Sequence, residues 1–562
     1  MTFLQQDSFQ RPASYWLRRA DRCKQNGDFL RAAVLERHAL RADPNSEEAS
    51  VSYVLTLRQL CCYEASNREA FAALARNPQN KTLYGLVGQN LLAMGLKDAG
   101  ADALNIYLAQ PMPDFPPFWH DDAYDLACDC DQLPKRRRKA RHDGLLQLAA
   151  SRMAKQDMPN ARRALERCSR PPYQGKSAKR ELMWTLYHLQ TGSPECFDHL
   201  MNAIAAQPYS AQMHASAAGL LWKMGLKKPA YTELLTASRL ASSPADMLGV
   251  LISADEVGAL HLATPMLRRM NRHAPNRTPV LYNLCVCLLR MGRMEDAAPF
   301  IERLRQIDPD DVQAGLLFLD VMNLQEQNAS PEEAKEHAKA FYWYGLLSQQ
   351  QLNRVAAPIA EAASAGAEQL AQLLISDLSI RRRFLTLLTI PMPWHATLLY
   401  AVCTEMPEAE RETLLREVLL QHPSPSQAKN CAAALLADMG VEPPYPSWQD
   451  GHIAWADPTR NPSGTPAFRE RLLTLRIHRA QQFCPKDPHI ALWCMEQVHR
   501  MTKSQRNRVI ADPAHIWPVA FAVRYRHLGG MEPLHLDAAR MGRGRMLALS
   551  EALRLLRRLS AK

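Results

Sequence analysis

Apolar residues recur every three to four positions through most of the chain, which is the spacing of one face of an α-helix. The pattern is clearest before Pro309, where one helix is marked by Leu281, Leu284, Cys285 and Leu288, and a second by Ala297, Ile301 and Leu304. Met291-Gly292-Arg293 stands between the two and predicts a turn. No alternation of apolar and polar residues persists for more than a few positions. The pattern therefore predicts an all-α protein, well over half of it helix.

Prolines mark a second, longer period. Pro78 follows Pro44 by 34 residues, and Pro309 follows Pro275 by 34 residues. A repeat of this length cannot bury its apolar face alone and must stack on a neighbour. Three contiguous copies run from about residue 212 to 309, with turn glycines at Gly225, Gly258 and Gly292. Two weaker copies fall before residue 110, and residues 141–209 hold one or two more. The period predicts an α-solenoid of antiparallel helix pairs.

The first copy shows why these residue types recur. Trp16 lies early in its first helix, Gly27-Asp28-Phe29 forms the turn, and Ala32 and Ala39 are small residues that let the second helix approach closely. Asp43-Pro44 ends the second helix. This segment resembles a tetratricopeptide repeat (TPR). The resemblance implies a right-handed superhelix whose first helices line a concave groove, where such proteins hold a peptide or helix of a partner protein.

Placing the sequence on that pattern predicts which side chains face the groove. They are Trp222, Lys223, Leu248, Ile252, Asp255, Glu256, Tyr282, Val286 and Arg290. This mixture of apolar residues and both charge signs suits an amphipathic partner segment. Ordinary packing between repeats is the alternative for each of them. The family's carboxylate clamp for chaperone C-termini is not reproduced, because Leu248, Ile252 and Val286 occupy the corresponding positions, so a chaperone tail is not expected.

Breaks in the repeat pattern predict six segments. These are N-terminal repeats (1–112), a Pro-rich and charged connection (113–140), the main repeat array (141–327), degenerate helical repeats (328–440), a Pro-rich linker or ordered loop (441–468), and a helical C-terminal module (469–562). The last segment contains 18 Lys and Arg against 7 Asp and Glu, whereas the first 468 residues contain 50 of each. The net charge of +11 therefore belongs to the C-terminal module.

A basic module predicts an anionic partner. Its candidate contacts are Arg506, Arg508, Arg524, Arg526, Arg543 and Arg545. Nucleic acid is one such partner, although no known nucleic-acid-binding motif is present. An acidic protein or a merely solvated surface is the alternative. The helix 547–559 is amphipathic, which fits either a membrane surface or packing within the module.

The sequence contains no motif of an enzyme. It has no phosphate-binding glycine loop, no G-x-S-x-G elbow and no H-E-x-x-H helix. The 13 cysteines form no pair of C-x-x-C motifs, and His120-Asp121-Asp122 is typical of a solvated loop. We therefore expect no catalysis, cofactor or bound metal.

The chain begins without a signal-peptide pattern, and the apolar stretch 384–403 is interrupted by two prolines, so we expect two buried helices there and no membrane span. The sequence thus predicts a cytoplasmic protein-binding scaffold or adaptor. The alternative is a regulator whose repeats bind a protein and whose C-terminal module binds nucleic acid.

Overall fold

A computed structural model describes residues 11–108, 136–169, 177–390, 395–421, 426–449, 452–456, 489–510, 516–534 and 538–560, with isolated positions between 473 and 487. The described chain is helical apart from one β-hairpin, which confirms the predicted all-α class. It divides into two compact units, Met1–Ala70 with Lys81–Asn353, and Phe71–Asn80 with Arg354–Lys562. The finer division into six segments stays a prediction.

The helices before residue 340 form antiparallel pairs. In chain order they are α1 (Ala13–Gln25), α2 (Phe29–Ala42), α3 (Glu47–Gln59), α4 (Tyr63–Arg76), α5 (Lys81–Ala93), α6 (Lys97–Leu108), α7 (Arg136–Ala154), α8 (Met158–Cys168), α9 (Ala178–Thr191), α10 (Cys196–Ala206), α11 (Ala211–Lys223), α12 (Lys227–Leu240), α13 (Pro244–Val257), α14 (Leu260–His273), α15 (Thr278–Arg290), α16 (Met294–Ile307), α17 (Val312–Glu326) and α18 (Pro331–Ala338). Two pairs, α7 with α8 and α9 with α10, lie where the sequence predicted one or two weak repeats.

Each turn within a pair places one residue in the left-handed backbone region. Glycine supplies it at Gly27, Gly95, Gly192, Gly225, Gly258 and Gly292, where φ lies between +70° and +81°. Only glycine adopts this conformation without a steric penalty. Cys61, Gln156 and Asn328 take the same role in three other turns, with φ of 61°, 59° and 51°. The repeat geometry therefore persists where the glycine signature is lost.

Small residues lie where the paired helices meet. Ala32, Ala230, Ala263 and Ala297 are all fully buried on second helices, as the repeat pattern predicts. Polar caps fix where the helices begin: the Ser210 hydroxyl accepts from the backbone N–H of Met213 at 3.3 Å. Burial of the shared apolar faces of neighbouring pairs stabilises the array.

The first unit is not a simple linear stack. Tyr53, Leu57 and Cys62 of the second helix pair share one hydrophobic core with residues of α11–α17 and Phe341. The side chain of Asn276, before α15, donates to the carbonyl oxygen of Leu60 at 2.9 Å. The N-terminal repeats therefore pack beside the main array.

Further helices follow residue 348 and lie mostly in the second unit. They are α19 (Gln349–Ala365, which starts at the unit boundary), α20 (Ala367–Ser376), α21 (Leu378–Leu387), α22 (His395–Glu405), α23 (Glu408–Leu420), α24 (Ser426–Asp438), α25 (His489–Arg500), α26 (Lys503–Ile510), α27 (Ile516–Leu528) and α28 (Ala538–Ser560). The stretch 384–403 falls on α21 and α22. Among the helices of the described residues, none combines the length and apolar character needed to cross a bilayer.

The predicted linker or ordered loop, 441–468, contains a short antiparallel hairpin of β1 (Tyr445–Gln449) and β2 (His452–Ala456). Trp448 is buried and its ring lies 5.8 Å from that of Phe71, edge to face. The Ser447 hydroxyl donates to the carbonyl oxygen of Leu419 at 3.2 Å. The first part of the segment is thus an ordered element, and residues 457–468 lie outside the described residues, as does the connection 113–135.

Candidate partner-binding groove

Two first helices, α11 and α13, pack closely because small residues face each other. The Ser253 hydroxyl donates to the carbonyl oxygen of Ala215 at 2.7 Å. A Cβ atom added at Gly219 would stand 2.8 Å from the carboxylate of Glu256, and one at Gly249 would touch Ala215. A larger residue at Gly219 would displace the Glu256 carboxylate. This close approach fixes the side chains of α13 relative to those of α11.

The outer face of α13 carries four of the predicted residues in one stripe. Leu248, Ile252, Asp255 and Glu256 follow one another at the spacing of a helix face. Ile252 is a large aliphatic residue that is 41% exposed. Leu248 is half-buried, and Asp255 and Glu256 are exposed. The stripe combines accessible apolar surface with negative charge.

The end of α11 adds a positive charge to this stripe. Lys223 Nζ lies 3.2 Å from a carboxylate oxygen of Glu256. Lys223 and Glu256 are both exposed, so their ion pair adds little to stability and remains open to exchange with a partner. The half-buried ring of the predicted groove residue Trp222 contacts α12 instead, where Lys227 Nζ lies 5.4 Å from its centre and the Tyr231 ring lies 6.1 Å away. We call the five residues Lys223, Leu248, Ile252, Asp255 and Glu256 the open stripe.

The three remaining predicted groove residues are covered by the protein itself. Tyr282 and Val286 on α15 are fully buried, and the Arg290 side chain is only 9% exposed. The segment 339–348, which follows α18, supplies the cover. In particular, the rings of Tyr282 and Tyr344 meet edge to face with centres 5.6 Å apart. Tyr282 and Val286 therefore belong to the core and present no surface to a partner.

Hydrogen bonds hold the cover in place. The Tyr282 hydroxyl accepts from the side-chain amides of Gln313 at 3.3 Å and Gln351 at 3.2 Å. Burial raises the pKa of Tyr282. The Gln313 amide also donates to the carbonyl oxygen of Leu346 at 2.7 Å, and the Asn283 side chain accepts from the backbone N–H of Tyr344 at 2.8 Å. Backbone polar groups of Tyr344 and Leu346 in the covering segment are thus paired with side chains of the array.

Arg290 binds the covering segment from its other side. Its Nη2 donates to the carbonyl oxygen of Phe341 at 2.5 Å and its Nε to that of Ala338 at 3.3 Å. Its guanidinium lies 4.7 Å from the ring centre of Trp343, within range of a cation–π interaction. The sequence predicted that Arg290 contacts a partner. In the structure its guanidinium instead holds the covering segment.

Sequence reasoning missed a set of buried ion pairs in the first unit. Arg68 pairs with the buried carboxylate of Asp308, which also accepts from the Thr278 hydroxyl at 2.8 Å. Arg277 pairs with Glu64 at 2.5 Å. Burial, and then the charge of Asp308, raise the pKa of Asp311, whose carboxylate accepts from the Tyr344 hydroxyl at 2.6 Å. Charges this far apart in sequence leave no local signal by which they could be paired.

Four of the six arginines predicted to contact an anionic partner have described side chains, and each of the four contacts a group of the C-terminal module. Arg508 pairs with Glu551 at 2.8 Å on the surface. Arg524 donates to the Ser560 hydroxyl at 3.1 Å, and Arg526 donates to the carbonyl oxygen of Glu532 at 2.7 Å. Arg506 is exposed and donates to the carbonyl oxygen of Met501 at 3.2 Å. The side chains of Arg543 and Arg545 lie outside the described part of the structure.

Comparisons with known proteins agree with the repeat geometry. A family model described as "Tetratricopeptide repeat" matches residues 256–317, which span the end of α13 to the start of α17. No curated protein sequence matches the chain at a significant level.

Solved structures resemble parts of the chain. PilF of Pseudomonas aeruginosa is 14% identical, with 43% of this chain and 99% of that chain covered and a TM-score of 0.24. A tetratricopeptide repeat protein from Parabacteroides merdae is 12% identical, with 50% and 98% covered and a TM-score of 0.19. The TPR domain of P58(IPK) is 13% identical, with 62% and 98% covered and a TM-score of 0.22. These scores are too low to relate the chains as wholes.

Proposed function

We propose that this chain, a tetratricopeptide repeat protein, is a non-catalytic scaffold or adaptor that binds an amphipathic segment of a partner protein on the open stripe. The observation that supports this most directly is the exposure of Ile252 one helical turn from the half-buried Leu248. Exposed large apolar side chains that are grouped together mark interaction surfaces more often than isolated ones do. An amphipathic helix would lay its apolar face on them.

The charges around the stripe favour a partner with basic residues flanking its apolar face. Asp255 and Glu256 are both exposed at this end of α13, and Lys223 is the counter-ion of Glu256. A partner lysine or arginine could replace Lys223 as the counter-ion of Glu256, whereas Asp255 is already paired with the nearly buried Arg290. Such rim charges contribute to orientation and association rate more than to affinity. The covered residues Tyr282, Val286 and Arg290 set the limit of the binding surface on the α15 side.

The alternative regulator, with a basic module that contacts nucleic acid, has less support. Arg508, Arg524 and Arg526 already bind groups of their own module. No described contact favours a phosphate ligand there over an acidic protein or solvent. The contacts of the described residues therefore support the scaffold proposal better than the regulator.

A photo-crosslinking amino acid placed at position 252 in the full chain tests the proposal in cells of the native organism. The matched control is position 235 on the second helix α12, where Leu235 is 37% exposed against 41% for Ile252. We expect a discrete crosslinked partner from position 252 and none from position 235. Equal crosslinking from both positions, or none from position 252, would contradict the proposal.

A further inference from the structure

Two histidines and a glutamate meet at the turn between α9 and α10, outside the open stripe. They are His188 near the end of α9, Glu195 in the turn and His199 on α10. One ligand atom from each lies within 4.8 Å of the other two. Imidazole nitrogens and a carboxylate oxygen are the ligands that zinc binds in three-residue sites.

One pair of these atoms has the spacing of coordinated ligands. His188 Nε2 lies 3.3 Å from a carboxylate oxygen of Glu195. Two ligands bonded to one zinc ion at about 2.0–2.1 Å stand roughly 3.3 Å apart in tetrahedral geometry. That pair therefore already has the separation that a shared ion would impose. An ion at this position would replace the proton that otherwise joins His188 Nε2 to the carboxylate.

The second histidine is oriented as metal-binding histidines are. His199 Nδ1 lies 2.7 Å from a carboxylate oxygen of Glu181, which is itself paired with Arg180 at 3.0 Å. A carboxylate on one ring nitrogen fixes the tautomer and leaves the other nitrogen, Nε2, free to bind a metal. Glu181 is thus a positioning residue behind the ligand His199.

The protein also restricts how the rings can move. The imidazoles of His188 and His199 are stacked with centres 5.1 Å apart and planes 9° from parallel, and the Trp184 ring stacks on both at 5.5 and 5.8 Å. His188 Nδ1 is buried and has no hydrogen-bond partner among the described residues. Glu195 is exposed, so an ion can enter from solvent.

We propose that His188, Glu195 and His199 bind one Zn²⁺ ion at the turn between α9 and α10, with a water molecule in the fourth position. The ion would join the two helices of this pair across their turn. The ion would bind from solution as free Zn²⁺, and the site needs no organic ligand. This site is independent of the open stripe and does not rest on the proposed scaffold function.

Zn²⁺ titration of the metal-free, untagged full chain tests the proposal, with a chromophoric chelator as competitor. The variants are His199→Gln and Glu195→Gln, and the matched control is His261→Gln, an exposed histidine on α14. We expect the wild type and the control to bind one Zn²⁺ that both variants bind at least tenfold more weakly. Glu181→Gln should weaken binding about 10–100-fold, as expected of a residue that orients a ligand.

Co²⁺ substitution supplies a readout that a structural role would not change. The wild type should show the intense visible absorption of a four-coordinate nitrogen and oxygen site, and His199→Gln should lose it while its far-ultraviolet circular dichroism stays the same. Because Glu195 is exposed, Glu195→Gln should fold normally and keeps the test valid if the histidine variant does not. Zn²⁺ binding that is equal in the wild type and both variants, or absent from the wild type, would overturn the proposal.

Discussion

Arg290 Nη1 lies 2.5 Å from Asp255 Oδ2, so the residue that holds the covering segment also contacts the open stripe. The same guanidinium donates to the carbonyl oxygens of Phe341 and Ala338. Asp255 itself is exposed, whereas Arg290 is nearly buried. This ion pair therefore marks the line between surface that a partner can reach and surface that the protein has already covered.

Removing the Tyr282 hydroxyl should affect stability and leave partner binding unchanged. Tyr282→Phe loses the hydrogen bonds from Gln313 and Gln351, and the Gln351 amide loses its partner in a buried site. We expect a loss of about 1 kcal/mol in the free energy of unfolding. Urea unfolding of the full chain measures it, with Tyr209→Phe as the control because Tyr209 is 87% exposed. The same loss in both variants would show that Tyr282 is not held as described.

The pair of Arg68 and Asp308 should contribute far more than a surface ion pair. Arg68→Met leaves the fully buried Asp308 carboxylate with the Thr278 hydroxyl and without a counter-ion. Because the Arg68 side chain is partly exposed, we expect the lower end of the usual cost, about 3 kcal/mol. Arg162→Met is the control, since Arg162 and Glu166 pair at 2.9 Å on the surface. A similar unfolding midpoint for the two variants would contradict the packing of the N-terminal repeats on α15–α17.

The repeat turns were predictable from the sequence wherever glycine marks them. Gly225, Gly258 and Gly292 have positive φ as expected, because the turn needs a residue without a Cβ penalty. Gln156 performs the same role without the signature, so the turn between α7 and α8 was predicted only weakly. The geometry there is imposed by packing of the two helices and not by the turn residue.

Gln156→Gly should stabilise the protein, because glycine tolerates the positive φ of this turn position. The side chain is exposed, and φ of 59° is strained for glutamine. Relief of that strain exceeds the entropy that glycine adds to the unfolded chain, and we expect a gain of about 0.5–1 kcal/mol. The matched control is Ala150→Gly, an exposed position inside α7, which should lose about 1 kcal/mol. A loss of stability in Gln156→Gly, measured by urea unfolding, would contradict the assignment of this turn.

The candidate site was predicted in part. The helical spacing of Leu248, Ile252, Asp255 and Glu256 places them on one face of α13, and that relation is local in sequence. The cover over Tyr282 was not predictable, because it depends on contacts with Tyr344 and Gln351, which lie far along the chain. Arg68 and Asp308 meet across an even greater separation. Periodicity identifies a helix face but does not indicate which distant segment covers it.

His395 should make stability depend on pH. Burial lowers its pKa to about 4, so the folded protein holds it neutral while the unfolded chain protonates it near 6.5. The part of the unfolding free energy that depends on neutral His395 is therefore fully present above about pH 6.5. It is lost as the pH falls towards 4, by up to about 1.4 kcal/mol for each pH unit. Its position at the start of α22 also disfavours a positive charge.

A comparison of the wild type with His395→Gln checks this dependence. The unfolding free energy of the wild type should fall faster than that of the variant between pH 6.5 and 4, with the difference reaching about 3 kcal/mol. Parallel pH profiles over this window would show that His395 does not titrate as described.

The affinity of the partner crosslinked at position 252 tests the central claim most directly. Ile252→Glu places a charge in the apolar centre of the open stripe, and Leu235→Glu places the same charge on a second helix with similar exposure. For the full chain, we predict that Ile252→Glu raises the dissociation constant at least about tenfold, since a contact at the centre of an interface is worth more than about 1.4 kcal/mol. Leu235→Glu should leave it unchanged. Equal dissociation constants for the wild type and Ile252→Glu would contradict the assignment of the open stripe as the partner-binding surface.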